Sequence, residues 1–198
     1  MASPNSYPGG LNLAGTVFQN GPATLQLGGE VYLSGLVQWV DTISGDNANA
    51  GNKPELPVAT LAQAITNSAA NGVIIIGEGS SESLGSSQSI GANTGLAIFG
   101  CGTGSSRPRY TCTGTVEMLN LAASGAWLEG IYFPASTAAA TSRVTIGADG
   151  ITVKDCYFEC GASDTNRALR VRGISRIEGC SFVVTASRPA IGVEVDAA

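Results

Sequence analysis

The sequence predicts an all-β fold, a parallel β-helix of about five turns with an N-terminal capping helix and an extended N-terminal arm. Three observations lead to this prediction. Similar segments recur about every 25 residues, short alternating strands lie between Gly, Asn, Asp and Ser corners, and small or β-branched residues dominate a chain with 27 glycines and 13% charged residues. Leucine-rich repeats have a similar period, but the Leu-x-x-Leu-x-Leu-x-x-Asn pattern is absent. Stacked turns of parallel strands therefore fit the repeat best.

The first repeated segment supplies the residues that we expect to fill the core. Its four copies are LAIFGCGT, AWLEGIYF, ITVKDCYF and SRIEGCSF. Equivalent side chains of neighbouring turns stack in ladders about 4.8 Å apart. The first column suits a small or medium apolar group, so we interpret its cysteines as buried hydrophobes rather than metal ligands. The predicted inward ladders are Cys101, Ile131, Cys156 and Cys180 in the first column, and Phe133, Phe158 and Phe182 in the second.

A second series of similar segments alternates with the first. Its members are EMLNLA, SRVTIGA, RALRVRG and PAIGVEV. We expect their leading apolar residues to occupy equivalent places in successive turns. These residues are Leu119, Val144, Leu169 and Ile191.

One position of the first segment is predicted to bend the chain, because Gly and Asp, which tolerate left-handed backbone conformations, align there. The residues at this bend are Gly100, Gly130, Asp155 and Gly179. Directly before the bend, outward charges of alternating sign align at Glu129, Lys154 and Glu178. This alternation is mildly favourable in a stack, so we interpret these charges as structural.

A helix is predicted before the repeat, over residues 57–72. Thr60 is its expected N-cap and Gly72 its terminator, and a helix here would cover the open end of the stacked core. Its apolar face comprises Leu61, Ala64, Ile65 and Ala69. The predicted domain boundaries are 1–37 for an assembly arm, 38–72 for a strand, loop and capping helix, and 73–198 for the β-helix body.

Gly and Pro interrupt the arm so often that it cannot build a core of its own, and we expect something else to hold it. The chain ends in PAIGVEVDAA, a strand with no helix or polar cap behind it, so we also expect a partner or symmetry mate to cover the last turn. The residues assigned to arm contacts are Tyr7, Leu11, Leu13, Val17, Phe18, Leu25, Leu27, Val31 and Tyr32.

Composition argues against several classes of function. A net charge of −5 without a run of Lys or Arg argues against nucleic-acid binding. The absence of histidine excludes Ser-His-Asp and Cys-His catalysis and disfavours a catalytic zinc site, so we expect no catalytic residue, no cofactor and no metal. The loop in WVDTISGDNANAGNKPELP lacks EF-hand spacing, which favours a surface loop over a calcium site.

The sequence also bears on where the protein is made. Its N-terminus shows no signal-peptide pattern, and its longest aliphatic stretch, VIII, is far too short to span a membrane. Five cysteines, an odd number, fit a reducing cytosol better than a secreted disulfide framework. We therefore expect assembly inside a cell, with no membrane partner.

From WVDTISGD through GNKPELPVATLAQAITNSAANGVIIIGEG to the turns of the GITVKDCYF type, about residues 38–195, the chain resembles the right-handed parallel β-helix proteins of tailed bacteriophages. That family includes tailspikes, polysaccharide lyases and short capsid-decorating proteins, which are usually trimers. The resemblance implies a capsid decoration or cement protein that is not an enzyme. Its expected partners are its own copies in a homotrimer and, through the arm, the major capsid protein or another virion protein. Its expected location is the capsid surface, after assembly in the host bacterial cytoplasm.

A tailspike-like protein that binds or degrades carbohydrate is the alternative. Glycoside hydrolysis requires two carboxyl groups about 5–9.5 Å apart on a groove, and the candidate carboxylates show no repeat that suggests a shared groove. These candidates are Glu117, Asp149, Asp155, Glu159 and Asp164. The arginines of RALRVRGISR, which are Arg167, Arg170, Arg172 and Arg176, could provide a lyase base or bind an acidic neighbouring surface. The alternation of Arg170 and Arg172 on one outward strand face favours the second.

Tyr132 and Tyr157 align one turn apart, between the inward columns, and should point outward. Such a ladder could bind a sugar or contact another subunit, and the enrichment of aromatic residues at interfaces favours the contact. We group Tyr132 and Tyr157 with Arg170 and Arg172 as a candidate outward interface or ligand face.

Overall fold

A computed structural model describes residues 25–27, 30–32, 37–113, 117–135, 142–160, 167–184 and 192–196. Over these residues the chain forms a parallel β-solenoid, which confirms the predicted fold class. The chain passes through three sheets in the same order in each turn, and each strand pairs in parallel with its equivalent in the next turn. Each turn is therefore stabilised mainly by the turn before it and the turn after it.

The strands follow one another closely along the chain. In order, they are β1 (Leu25–Leu27), β2 (Glu30–Tyr32), β3 (Val37–Val40), β4 (Val73–Ile76), β5 (Ser81–Leu84), β6 (Gln88–Ser89), β7 (Ala97–Gly100), β8 (Arg109–Cys112), β9 (Glu117–Leu121), β10 (Trp127–Glu129), β11 (Tyr132–Phe133), β12 (Ser142–Ile146), β13 (Ile151–Lys154), β14 (Tyr157–Cys160), β15 (Arg167–Val171), β16 (Ser175–Glu178), β17 (Ser181–Val184) and β18 (Val193–Val195). Helix α1 (Leu61–Asn67) lies between β3 and β4, and a short 3-10 turn (Gly104–Ser106) lies between β7 and β8.

Sheet 1 has six strands, in the order β16, β13, β10, β7, β4 and β3. Sheet 2 has five strands, in the order β17, β14, β11, β8 and β5. Sheet 3 also has five, in the order β18, β15, β12, β9 and β6. Strands β1 and β2 pair separately as a short antiparallel hairpin.

The strand register agrees with most of the sequence alignment. Glu129 pairs with Lys154, and Lys154 pairs with Glu178, as the charge ladder requires. In sheet 3, Leu119, Val144 and Leu169 also lie in register. The fourth member of that column was predicted wrongly, because Leu169 pairs with Val193. Ile191, the residue expected there, lies outside the described part of the chain.

The bend after sheet 1 depends on left-handed backbone conformations. Gly130, Asp155 and Gly179 have φ angles of 76°, 49° and 62°, which turn the chain towards sheet 2. Gly100, at the aligned position, is not among the residues with positive φ and belongs to strand β7. The alternation of side chains therefore continues for one more residue, and the left-handed residue here is Gly102, with φ 89°.

This difference corrects the prediction for Cys101. Continued alternation directs its side chain outward, where it packs on a cluster formed by Val73, Ile75 and Phe99. The other members of the column have the expected surroundings. Ile131 and Cys156 are buried in the interior, and the half-buried Cys180 packs against that interior.

The interior of the solenoid is a continuous apolar core, and stacked phenylalanines form one side of it. The rings of Phe133 and Phe158 lie 5.0 Å apart and those of Phe158 and Phe182 lie 5.2 Å apart, each pair within 6° of parallel. Phe158 is fully buried, whereas Phe182, in the last turn, is 36% exposed.

Helix α1 is joined to this core at its N-terminus. The Thr60 hydroxyl accepts a hydrogen bond from the Gln63 amide at 3.2 Å, and Leu61 and Ala64 are buried in the core. The Leu61 amide donates to Oε2 of Glu82 in β5 at 3.0 Å, which satisfies one of the free amides of the first turn.

The helix is shorter than predicted. Val58 pairs with Val40 as a bridge, and Ser68 is already extended (φ −81°, ψ 156°), so Ala69 lies beyond the helix. At this end the Ser68 hydroxyl donates to the Ala64 carbonyl at 2.7 Å, a local hydrogen bond of the kind by which serine competes with a continued helix.

Candidate functional site

The outer face of sheet 2 carries a column of aromatic and basic side chains. Arg109, Tyr132 and Tyr157 occupy equivalent positions in three successive turns. The guanidinium carbon of Arg109 lies 5.2 Å from the centre of the Tyr132 ring, within the range of a cation–π contact. The rings of Tyr132 and Tyr157 lie 5.2 Å apart at 80°, in an edge-to-face arrangement. We call these three residues the tyrosine column.

A carboxylate adjoins this column. Partial burial raises the pKa of Tyr132 to about 12, and a hydrogen bond to Glu159 and the charge of Glu159 act in the same direction. Oε2 of Glu159 also accepts a hydrogen bond from the Ala135 amide at 3.4 Å. The surface thus combines two half-buried aromatic rings, a cation and a carboxylate, which can bind the apolar face and polar edge of a sugar or of a protein side chain.

The arginines lie on another surface. Nε of Arg170 lies 2.7 Å and Nε of Arg172 lies 3.2 Å from Oδ2 of Asp196. Arg170 also lies 3.5 Å from Glu117, and Arg167 pairs with Glu194. These contacts belong to sheet 3 and the residues next to it, so Arg170 and Arg172 do not share a face with the tyrosines. The acids that they bind belong to the same chain.

These contacts also change the ionisation of Asp196. Partial desolvation acts to raise its pKa, but hydrogen bonds from Arg172 and Arg170 and their charges outweigh it and hold the pKa below its ordinary value. The pair of arginines and Asp196 therefore join β18 to β15 as charge-assisted contacts.

The candidate carboxylates are distributed over the molecule. Glu117 lies on sheet 3, Glu159 on sheet 2, and Asp155 at the bend after sheet 1. Asp149 lies at another corner, where it accepts a hydrogen bond from the Ile174 amide at 2.8 Å. Asp164 lies outside the described residues. Within the part of the chain that the structure describes, no three His, Cys, Asp or Glu residues are grouped as metal ligands.

The remaining charges and two of the thiols of the first repeated segment have partners within the same repeat series. Nζ of Lys154 lies 3.1 Å from Glu129, and Arg176 lies 3.1 Å from Glu178. The pKa of Cys180 is lowered to about 7, chiefly by a hydrogen bond from the Cys156 thiol. Burial raises the pKa of Cys156 itself.

One surface was missed by the sequence analysis. Val73, Ile75 and Phe99 form a second apolar cluster on the outer face of sheet 1, separate from the interior core. The sequence contains one signal for this surface, the run VIII in β4. A continuous run of aliphatic residues indicates a strand that is covered on both faces, and all four residues are buried.

The arm residues are described only in part. Leu25 and Leu27 belong to β1, and Val31 and Tyr32 belong to β2, with Leu25 paired to Tyr32. Tyr7, Leu11, Leu13, Val17 and Phe18 lie outside the described residues. Among the helices that the structure describes, none is long and apolar enough to cross a membrane.

Comparison with known proteins adds no family to this description. A scan against protein-family models, a search of curated proteins and a search of solved structures each found no match.

Proposed function

We propose that this protein is a structural component of a tailed-bacteriophage virion that decorates the capsid surface and is not an enzyme. The observation that carries the proposal is that the charged and thiol side chains contact one another within the chain. Lys154 and Glu129, and Cys156 and Cys180, contact each other at equivalent positions of neighbouring turns, and Arg170 and Arg172 contact Asp196 directly after the strand of the next turn. These contacts stabilise the stack. Function then belongs to the outer surfaces and to the arm. The phage context rests on the sequence resemblance.

The tyrosine column supports self-association. Tyrosine and arginine are enriched at the centres of protein interfaces, and here they form a half-buried column over three turns. In the proposal this column forms the contacts of a homotrimer, and residues 1–37 attach the trimer to the major capsid protein or another virion protein.

Cosedimentation of the full chain with DNA-free phage capsids tests the attachment. The proposal expects the chain to pellet with capsids, and a Tyr7→Asp variant, which leaves the more apolar part of the arm unchanged, to pellet at least several-fold less. Asn5→Asp, which adds a charge at a polar position of the same segment, is the control and should bind as the unmodified chain does. Binding that is absent, or equal in all three proteins, contradicts the attachment role.

A second candidate function, carbohydrate binding, is favoured by the same column, because rings beside a cation and a carboxylate are typical of sugar-binding surfaces. Titration of the full chain with host capsular oligosaccharide distinguishes the two. Saturable binding that Tyr157→Ala abolishes and Ser81→Ala leaves unchanged would support this candidate. Release of reducing ends or unsaturated products from the polysaccharide would instead support the enzyme alternative.

A further inference from the structure

The outer face of sheet 1 is apolar in its first three strands, β3, β4 and β7, and at Trp127 in the fourth strand, β10. Its side chains form two rows that follow the strand register: one runs from β3 to Trp127 in β10, and the other ends at Phe99 in β7. We call this surface the outer apolar face. Its residues are Val37, Trp39, Val73, Ile75, Ala97, Phe99, Cys101 and Trp127.

The centre of this face is buried although it points away from the solenoid interior. Ile75 is 0% exposed, Phe99 is 1% exposed and Val73 is 7% exposed. The neighbouring residues of the same strands, Ile74 and Ile98, belong to the interior core, so both faces of β4 and β7 are covered. A strand covers only one face with the core on which it lies, and a second layer is needed to remove the other face from water.

The covered area has a boundary along the sheet. In the row that contains Trp127, the next two residues are Thr152 and Arg176. In the row that contains Phe99, the next residues are charged, beginning with Glu129 and Lys154. The covering layer therefore matches the first turns of the solenoid and not the later ones.

The described chain beside this face lies at its edge. The Trp39 amide donates to the Gly51 carbonyl at 2.6 Å, and the Val58 amide donates to the Trp39 carbonyl at 2.9 Å. These bonds extend the plane of sheet 1 beyond β3 and do not place residues 51–58 over Phe99. The described hydrophobic residues packed against the cluster all come from the outer side of sheet 1 or from Cys101 directly after it.

We propose that residues 1–36 of the same chain form this covering layer. The segment leads directly into Val37, which is itself part of the outer apolar face. Four strands span about 15–20 Å across the sheet, a distance that about six extended residues can cross, so the segment is long enough to cross the face more than once. Its apolar residues occur in short bursts, and its described portions form a β-hairpin, which suits a thin layer on a sheet.

This inference does not depend on the proposed function. A layer on sheet 1 has a second side that can still contact a capsid, so the two proposals can fail separately. The proposal also differs from trimer formation in the surface that is used. The outer apolar face of sheet 1 is buried within a single chain, whereas the proposed trimer contact is the tyrosine column on sheet 2.

The chain contains an internal reporter for this surface. It has two tryptophans, Trp39 and Trp127, and both lie on the outer apolar face. Tryptophan emission from the full chain therefore reports whether this face is dry. The proposal expects a blue emission maximum and weak acrylamide quenching at concentrations where the chain is monomeric as well as where it is oligomeric.

Substitution in the arm tests which segment keeps the face dry. In the full chain, Leu11→Asp/Leu13→Asp combined with Val17→Asp/Phe18→Asp should shift the emission to the red and increase quenching several-fold, with the far-ultraviolet circular dichroism of the body retained. Asn12→Asp should change neither signal. Blue emission that persists in the Asp variant, or red emission in the unmodified chain, overturns the proposal.

Photo-crosslinking identifies the covering residues directly. The photo-reactive residue p-benzoyl-phenylalanine, placed at Trp127 or at Trp39 in the full chain, should crosslink to residues 1–36. In a mixture of isotopically light and heavy chains, the crosslinked peptides should be all light or all heavy. The same residue at Tyr157, on sheet 2, is the control and should give no crosslink to the arm. Mixed light–heavy products would assign the cover to a second copy and contradict the proposal.

Discussion

At the residue scale, the corners decide how closely the turns can stack. Gly130 has a positive φ, and a Cβ atom built on it would lie 2.7 Å from the Gly100 carbonyl oxygen of the previous turn. Any side chain at this corner therefore meets backbone that cannot move without shifting a whole turn. Asp155 occupies the equivalent place one turn later with φ 49°, which aspartate tolerates better than most residues do.

Gly130→Ala should destabilise the protein more than a left-handed conformation alone explains. The matched control is Gly79→Ala, because Gly79 has a similar φ of 74° and nothing within 4 Å of its built Cβ. We expect a loss of about 1–2 kcal/mol for Gly79→Ala, and an additional loss of about 1–3 kcal/mol for Gly130→Ala. Urea unfolding measures both. Equal losses of unfolding free energy in the two variants would show that the close approach to Gly100 adds no cost at Gly130.

At the element scale, each strand is held by ladders that connect it to the next turn. The phenylalanine ladder is apolar and central, whereas the arginine–Asp196 contacts hold the edge strand β18. Burial gives the two ladders different properties, because buried packing is insensitive to pH and exposed ion pairs are not.

Phe158→Ala should cost about 3–5 kcal/mol of unfolding free energy, since it removes a fully buried ring that stacks on both of its neighbours. Phe182→Ala should cost clearly less, because that ring is 36% exposed and, among the residues that the structure describes, has one stacking partner, Phe158. The midpoints of urea denaturation, at unchanged m-value, provide the comparison. A loss for Phe182→Ala as large as that for Phe158→Ala would contradict the stacked arrangement.

Asp196→Asn should reduce stability only where the carboxylate is ionised. The pKa of Asp196 in the folded protein lies below its ordinary value of 3.8, so its contribution is fully present above that pH and is lost as the pH falls through the folded-state pKa. The unmodified chain should thus be more stable than the variant near pH 6, with a difference that shrinks as the pH falls below 3.8 and the carboxylate is protonated. Glu55→Gln, in the exposed loop before α1, is the control for general charge effects. A difference independent of pH would exclude the ion pairs as its cause.

The elements show how far sequence reasoning reaches. Period and alternation predicted the parallel solenoid, the phenylalanine ladder and the alternating charges, because each is repeated in several turns. The predictions for Cys101 and Ile191 are wrong where one turn departs from the repeat. Gly100 still belongs to strand β7, whereas the equivalent residues follow the ends of their strands, and Leu169 pairs with Val193 in β18. The helix begins later than predicted because Val58 pairs with Val40.

At the scale of the whole molecule, the surfaces distinguish the three sheets. The outer face of sheet 1 is apolar in its first turns and charged later, and that of sheet 2 carries the tyrosine column. Sheet 3 carries ion pairs between residues of the same chain. Alternation defines inward and outward only within a strand, so it does not separate the face of the tyrosines from that of Arg170. Which outward residues share a sheet follows from where the corners fall, and the loops between sheets vary in length from turn to turn.

We propose that this solenoid functions within an assembly through its outer surfaces, with the tyrosine column as the contact between its own copies. Light scattering of the full chain over a wide concentration range measures its oligomeric state. We expect a mass three times the 19.9 kDa of one chain, and a Tyr132→Asp/Tyr157→Asp variant that is monomeric while Ser81→Asp, at the equivalent position of β5, remains trimeric. A monomer at every concentration, or a trimer that the tyrosine substitutions leave intact, would contradict it.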